Sequence, residues 1–130
     1  MMVTSSSVAQ LPTFTDPDKA GPSFNVQGEY VGKVGGKQAI GIQVIAGGKA
    51  QFEGVLYRGG LPGAGWDLGA VFHIKGQLTD EKATFVGAHG EQLMFTNSNF
   101  QGTIKKGVFV GEAQMFANRL EDVTFRLAKV

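Results

Sequence analysis

At seven places within the segments of this sequence that alternate in polarity, a large apolar residue is followed, two positions later, by glycine. In a β-strand, residues i and i+2 lie on the same face of the sheet, so each pair places a bulky side chain beside a gap. Glycine lets a sheet bend sharply, and a neighbouring large side chain covers the backbone that glycine leaves bare. The pattern therefore predicts a small, strongly curved sheet with a filled interior. The pairs are Val26/Gly28, Tyr30/Gly32, Phe52/Gly54, Ile74/Gly76, Phe85/Gly87, Phe100/Gly102 and Phe109/Gly111.

Alternation of apolar and polar residues with period two predicts an all-β fold of about nine short strands, and no segment has the spacing of an amphipathic helix. The two-residue connections Gly35-Gly36, Gly47-Gly48, Asp80-Glu81 and Lys106-Gly107 predict antiparallel hairpins. We expect a small antiparallel β-barrel, closed or nearly closed, because closure removes exposed strand edges. A two-sheet β-sandwich is the alternative. The predicted strands span residues 26–34, 37–46, 50–58, 70–78, 82–87, 92–96, 99–105, 108–116 and 122–130.

Composition excludes several classes of site and partner. The 12 basic and 11 acidic residues are spread along the chain, and the net charge is +1, so no cationic patch for nucleic acid is expected. Cysteine is absent, and His73 and His89 have no carboxylate at a metal-ligand spacing, so we expect no metal and no cofactor. No apolar run approaches the ~20 residues of a membrane-spanning helix.

The N-terminal segment differs in pattern from the rest of the chain. Residues 1–23 lack apolar periodicity and predict a flexible tail, and residues 24–130 predict a single all-β domain. Ser7-Val8-Ala9 has small residues at the two positions that a signal peptidase recognises. The tail is therefore interpreted either as the remnant of a signal peptide, with a mature protein that begins near Gln10, or as an ordinary disordered N-terminus.

One long irregular segment, residues 59–69, separates the third and fourth predicted strands. It contains five glycines, a proline and Trp66, the only tryptophan of the chain. Long loops on β-scaffolds are where binding residues collect. Trp66 and Tyr57 could supply an aromatic face to the C–H surface of a sugar, and Arg58 and Asp67 could bind its hydroxyls. The structural alternative is a plug at the barrel end, with Trp66 over the core and Asp67 capping a turn.

Residues 26–32, 41–46 and 55–67 resemble the N-terminal leader module that precedes the catalytic domain in some secreted bacterial proteins of the 3-keto-disaccharide hydrolase-like family. The specific part is the string Gly-Gly-Leu-Pro-Gly-x-Gly-Trp-Asp at residues 59–67. The resemblance implies an extracytoplasmic accessory module, periplasmic or secreted, beside a sugar-active enzyme. It implies no catalytic residue in this chain.

The residues themselves also predict a non-catalytic protein. The chain has no Gly-x-Ser-x-Gly motif and no cysteine nucleophile, and the alternation places Glu29 and Glu53 on the outer face of the sheet. Carbohydrate binding through the Trp66 segment is the predicted function, with an oligosaccharide as the partner.

The alternative function is that of a structural or protein-interaction module that packs on a neighbouring hydrolase domain or on an identical subunit. If Phe109 and Met115 face the interior, Val108, Val110 and Phe116 form an outward apolar stripe, which we interpret as a candidate interface.

Overall fold

The computed structural model describes residues 25–88, 100–116 and 120–130. Eight strands form one closed barrel in which every strand pairs with its neighbours in the sequence and the last pairs with the first. All pairs are antiparallel. The strands are β1 (Gly28–Val34), β2 (Gln38–Gly48), β3 (Gln51–Arg58), β4 (Phe72–Thr79), β5 (Lys82–Gly87), β6 (Gln101–Lys105), β7 (Val108–Phe116) and β8 (Leu120–Lys129).

The predicted closed antiparallel barrel is thus confirmed, and the wall is not divided into the two sheets of a sandwich. The sixth predicted strand, residues 92–96, lies outside the described residues, as does the predicted tail, residues 1–23. β5 pairs directly with β6, so eight strands suffice to close the wall. Among the described segments, none forms a helix with the length and hydropathy that a membrane crossing requires.

The interior is filled by side chains of the predicted inward face. All seven large members of the glycine pairs are buried: Val26, Tyr30, Phe52, Ile74, Phe85, Phe100 and Phe109. Aromatic rings contact one another through the core, with Phe109 lying 5.1 Å from Phe85 and 5.5 Å from Phe125 between ring centroids. No buried polar or charged side chain occurs among the described residues apart from the phenol of Tyr30, whose ring belongs to this core. Side chains therefore fill the barrel interior and leave no internal ligand cavity among the described residues.

The gaps beside the glycines are occupied by these rings. A Cβ atom on Gly76 would lie 2.5 Å from the ring of Phe85, and one on Gly102 would lie 2.5 Å from the ring of Phe109. Both distances are too short for real atoms, so the glycines make the room that the rings fill.

Two local predictions are wrong. The β2–β3 turn is formed by Lys49 and Ala50, with φ of 52° and 61°, rather than by Gly47-Gly48. A bulge at Ala46/Gly48 extends β2 through both glycines and moves the turn two residues along the chain. The connection between β1 and β2 has three residues, Gly35, Gly36 and Lys37, rather than the predicted two, because Val34 pairs with Gln38.

Candidate functional site

The connection between β3 and β4 folds back against the outside of the barrel wall. Leu61 is only 6% exposed and lies over Gly41, an outward position of β2, where a Cβ atom would approach the Leu61 nitrogen to 2.7 Å. The backbone nitrogen of Gly59 donates to the carbonyl of Ala39 at 2.8 Å. The loop can therefore pack against the wall at Gly41 because this residue has no side chain.

The loop is held in a compact turn by its own backbone. The carbonyl of Leu61 accepts hydrogen bonds from the nitrogens of Ala64, at 2.8 Å, and Trp66, at 3.3 Å. Gly60 and Gly65 have φ of 145° and 118°, which side-chain-bearing residues rarely adopt. The glycines of residues 59–65 thus allow the backbone conformation that brings Trp66 against the wall.

Arg58 and Asp67 clamp the two ends of this loop together. The Arg58 Nε donates to the Asp67 Oδ2 at 2.6 Å, and the backbone nitrogen of Asp67 donates to the Arg58 carbonyl at 3.1 Å. The other carboxylate oxygen, Oδ1, accepts from the nitrogen of Gly69 at 2.8 Å. The hydrogen bond from Arg58, and then that from Gly69, lower the pKa of the Asp67 carboxyl. Asp67 therefore caps a turn, as the structural alternative predicted.

Trp66 packs against Tyr57 on the outer wall. Their ring centroids are 5.2 Å apart and the rings meet edge to face at 69°. Both side chains are half-buried, and Trp66 is not part of the barrel core. The indole Nε1 is buried and has no hydrogen-bond partner among the described residues. The solvent-exposed part of the indole therefore consists of carbon atoms. The structure thus places Trp66 against the wall and not over the barrel end.

A row of hydrogen-bonded polar side chains continues from Tyr57 across the wall to β1. The Tyr57 hydroxyl donates to the Gln43 Oε1 at 2.8 Å, and the Gln43 Nε2 donates to the Glu29 Oε2 at 2.9 Å. Burial, with a smaller contribution from the charge of Glu29, raises the pKa of the Tyr57 phenol. We call Trp66, Tyr57, Gln43 and Glu29 the aromatic–amide row.

The four residues predicted for the site are therefore brought together, in two pairs. Tyr57 contacts Trp66, and Arg58 contacts Asp67. Gln43 and Glu29 were not predicted as members, although Glu29 was correctly placed on the outer face. Their only signal in the sequence was their outward position on β2 and β1, which polar residues on any barrel share.

The candidate interface is described in part. Val110 is 37% exposed and Val108 is half-buried, and both face outward because Phe109 is buried. The side chain of Phe116 lies outside the described residues. His73 is exposed, His89 lies outside the described residues, and no group of three or more metal-ligating side chains occurs in the described part of the chain.

Comparison of the chain with protein-family models, with curated proteins and with solved structures finds no match.

Proposed function

We propose that this protein is a non-catalytic carbohydrate-binding module whose sugar site is the aromatic–amide row. The observation that carries the proposal is the contact of the Tyr57 and Trp66 rings at one end of a hydrogen-bonded chain of planar polar groups. Sugars present an apolar C–H face and a rim of hydroxyls, so a site for them combines an aromatic surface with a few oriented polar groups.

The aromatic part of the site is ordered before any ligand arrives. Tyr57 is fixed by its strand and by its bond to Gln43, and Trp66 is fixed by the turn around Leu61. Preorganisation of this kind reduces the entropy that binding must overcome. The accessible carbon of the indole supplies the surface on which a sugar ring would stack.

The polar part offers both donors and acceptors to hydroxyls. Because Tyr57 donates to Gln43 and Gln43 donates to Glu29, each group keeps further hydrogen-bonding capacity: a phenol lone pair, a second amide N–H and a second carboxylate oxygen. Sugar hydroxyls both donate and accept. The row therefore suits a neutral saccharide.

Arg58 and Asp67 have a positioning role in this proposal. Their side chains bond to each other and to the loop backbone, so they hold the segment that carries Trp66 rather than contact the sugar. The lowered pKa of Asp67 does not suit the general acid of a glycoside hydrolase, which needs a raised pKa.

The proposed context is extracytoplasmic. The resemblance of residues 26–32, 41–46 and 55–67 to the leader module of secreted bacterial hydrolase-like proteins supports an accessory role beside a sugar-active enzyme. A binding site without chemistry of its own fits that role, since it would keep a substrate close to a separate catalytic domain.

The test uses the fluorescence of Trp66, the only tryptophan. Titration with neutral oligosaccharides is expected to shift the emission saturably. Trp66→Ala should weaken binding, measured by calorimetry, about tenfold or more. Because Trp66 lies outside the core, the variant should lose less than the ~3–5 kcal/mol of unfolding free energy that removal of a core tryptophan costs.

Leu68→Ala is the matched control, because Leu68 lies in the same loop and is 79% exposed. It should leave both affinity and emission unchanged. Emission that no oligosaccharide alters, together with severe loss of stability in Trp66→Ala, would refute the proposal and favour the protein-interaction alternative.

A further inference from the structure

A shallow channel crosses the outer wall from β3 to β7. Of these strands, only β3 also contributes to the aromatic–amide row. The channel consists of two depressions of about 580 Å³ and 270 Å³. Thr84 and Val86 line both of them, so the two depressions adjoin at β5. We call the two together the transverse channel.

One side of the transverse channel is a row of amides and hydroxyls. Strand register places Gln51 beside Gln77, Gln77 beside Thr84, and Thr84 beside Thr103. Val110 follows Thr103 and ends the row. Apart from Val110, every member can both donate and accept a hydrogen bond.

The other side carries charges of both signs. Glu53 lies beside Lys75, Lys75 beside Val86, and Val86 beside Gln101. Glu112 follows Gln101. One cation between two carboxylates gives this side little net charge, so it attracts neither polyanions nor polycations strongly.

The floor between the two rows is backbone. The register aligns Phe52, Gly76, Phe85, Gly102 and Gly111 across the same five strands. The side chains of Phe52 and Phe85 point into the core, and the three glycines have none. Five strands spaced ~4.8 Å apart give the channel a length of about 19 Å.

We propose that the transverse channel binds an extended, neutral polysaccharide chain that runs across the strands. The inference rests on the proposed carbohydrate-binding function and assigns it a second surface and a polymeric ligand. Amides and hydroxyls on one side, and the Gln101 amide with charges of both signs on the other, complement a chain of sugar hydroxyls.

Other elongated ligands fit the channel less well. A nucleic acid or an acidic polysaccharide would meet Glu53 and Glu112 with only Lys75 to offset them. A peptide strand binds to a sheet through unpaired backbone, and every strand that forms the channel is paired on both sides. The lining therefore favours a ligand rich in hydroxyls over a polyanion or an extended peptide.

The test is affinity electrophoresis of the whole chain in native gels that contain xyloglucan, laminarin or amylopectin, with polygalacturonate as the acidic comparison. At least one neutral polymer should retard the protein and polygalacturonate should not. Thr84→Val with Thr103→Val removes two channel hydroxyls while keeping β-branched side chains. It should weaken that retardation about tenfold.

The matched control is Thr79→Val with Thr124→Val, which removes two exposed strand hydroxyls outside the channel and should bind as the unaltered protein does. A second variant, Thr84→Arg, places a long side chain where the two depressions adjoin and should abolish retardation. Circular dichroism confirms that each variant is folded.

The outcomes separate the two proposals. If both channel variants lose retardation and the oligosaccharide response of Trp66 is intact, both surfaces are supported. If both variants lose retardation and Trp66 shows no response, the channel is supported and the aromatic–amide row is refuted. Unchanged retardation in the channel variants, or equal retardation by polygalacturonate, overturns the transverse channel alone. No retardation of the unaltered protein and no Trp66 response would overturn both.

Discussion

Tyr30 brings a hydroxyl into an otherwise apolar interior, and this makes it the most pH-sensitive residue of the core. Its side chain is fully buried, and its hydroxyl donates to the carbonyl of Val26 at 2.6 Å. Burial raises the pKa of the Tyr30 phenol to about 12, from 10.0 in the unfolded chain. The unfolded chain therefore releases this proton at lower pH than the folded protein does.

The sign of the pH dependence follows from that difference. The contribution of Tyr30 to stability should be complete below pH 10.0 and should be lost as the pH rises towards about 12. Urea unfolding at increasing pH should show the unfolding free energy falling by up to ~1.4 kcal/mol per pH unit in this range.

Tyr30→Phe tests the assignment. At neutral pH it should cost ~1–3 kcal/mol, because the buried carbonyl of Val26 loses its partner. Between pH 10.0 and about 12 its stability should decline less steeply than that of the unaltered protein. Tyr57→Phe is the comparison: the pKa of that half-buried phenol is also raised, and its loss should flatten the alkaline slope less than Tyr30→Phe does. An identical alkaline slope in all three proteins would show that Tyr30 is not responsible.

The hairpin turns between β2 and β3 and between β6 and β7 have the same backbone conformation but different residues. Lys49 and Ala50 have φ of 52° and 61°, and Lys106 and Gly107 have φ of 52° and 79°. Both are two-residue turns with two positive φ values, the type that favours glycine at its second position. Only the β6–β7 turn has it.

Ala50→Gly is therefore expected to raise the unfolding free energy, and Gly107→Ala to lower it, each by about 1 kcal/mol. A Cβ atom on Gly107 would have its nearest neighbour at 3.8 Å, so the loss would come from backbone strain and not from a clash. Thermal unfolding measures both changes. Shifts of the same sign in the two variants would contradict the shared turn type.

The strands and turns differ in how well they could be predicted from the sequence. Period-two alternation identified the inward faces correctly, because burial of one face is a local property of each strand. The position of the β2–β3 turn was missed because Gly47-Gly48 has the composition of a turn, whereas the bulge that absorbs it depends on pairing with β3.

The candidate site was predictable only where its residues are close in sequence. Tyr57, Arg58, Trp66 and Asp67 flank one loop, and their proximity followed from the loop folding back. Gln43 joins them through the register of β2 with β3, and Leu61 finds its seat on Gly41 of β2. Both are long-range contacts that no local pattern encodes.

For the whole molecule, closure depends on the seam between β1 and β8. Gly32 lies opposite Leu127 there, and a Cβ atom on Gly32 would collide with the carbonyl oxygen of Arg126. The two backbones approach so closely because Gly32 has no side chain. This glycine therefore controls whether the sheet can become a barrel.

Gly32→Ala should cost at least the ~1–3 kcal/mol typical of overpacking, because backbone rather than a side chain must move. Amide hydrogen exchange should accelerate first in β1 and β8. Gly47→Ala is the control, since the nearest atom to its Cβ would lie at 3.8 Å. Equal effects of the two substitutions would mean that the seam is not tight.

The same seam brings the start of β1 and the end of β8 together at one pole of the barrel. β8 ends beside the start of β1, where the nitrogen of Val130 donates to the carbonyl of Glu29 at 2.9 Å. Antiparallel order puts the loop that carries Trp66 at the opposite pole. A segment that follows Val130 would thus leave the barrel on the side away from this loop. In the accessory role proposed above, the length of that linker would then determine how far from the Trp66 loop a catalytic domain can reach.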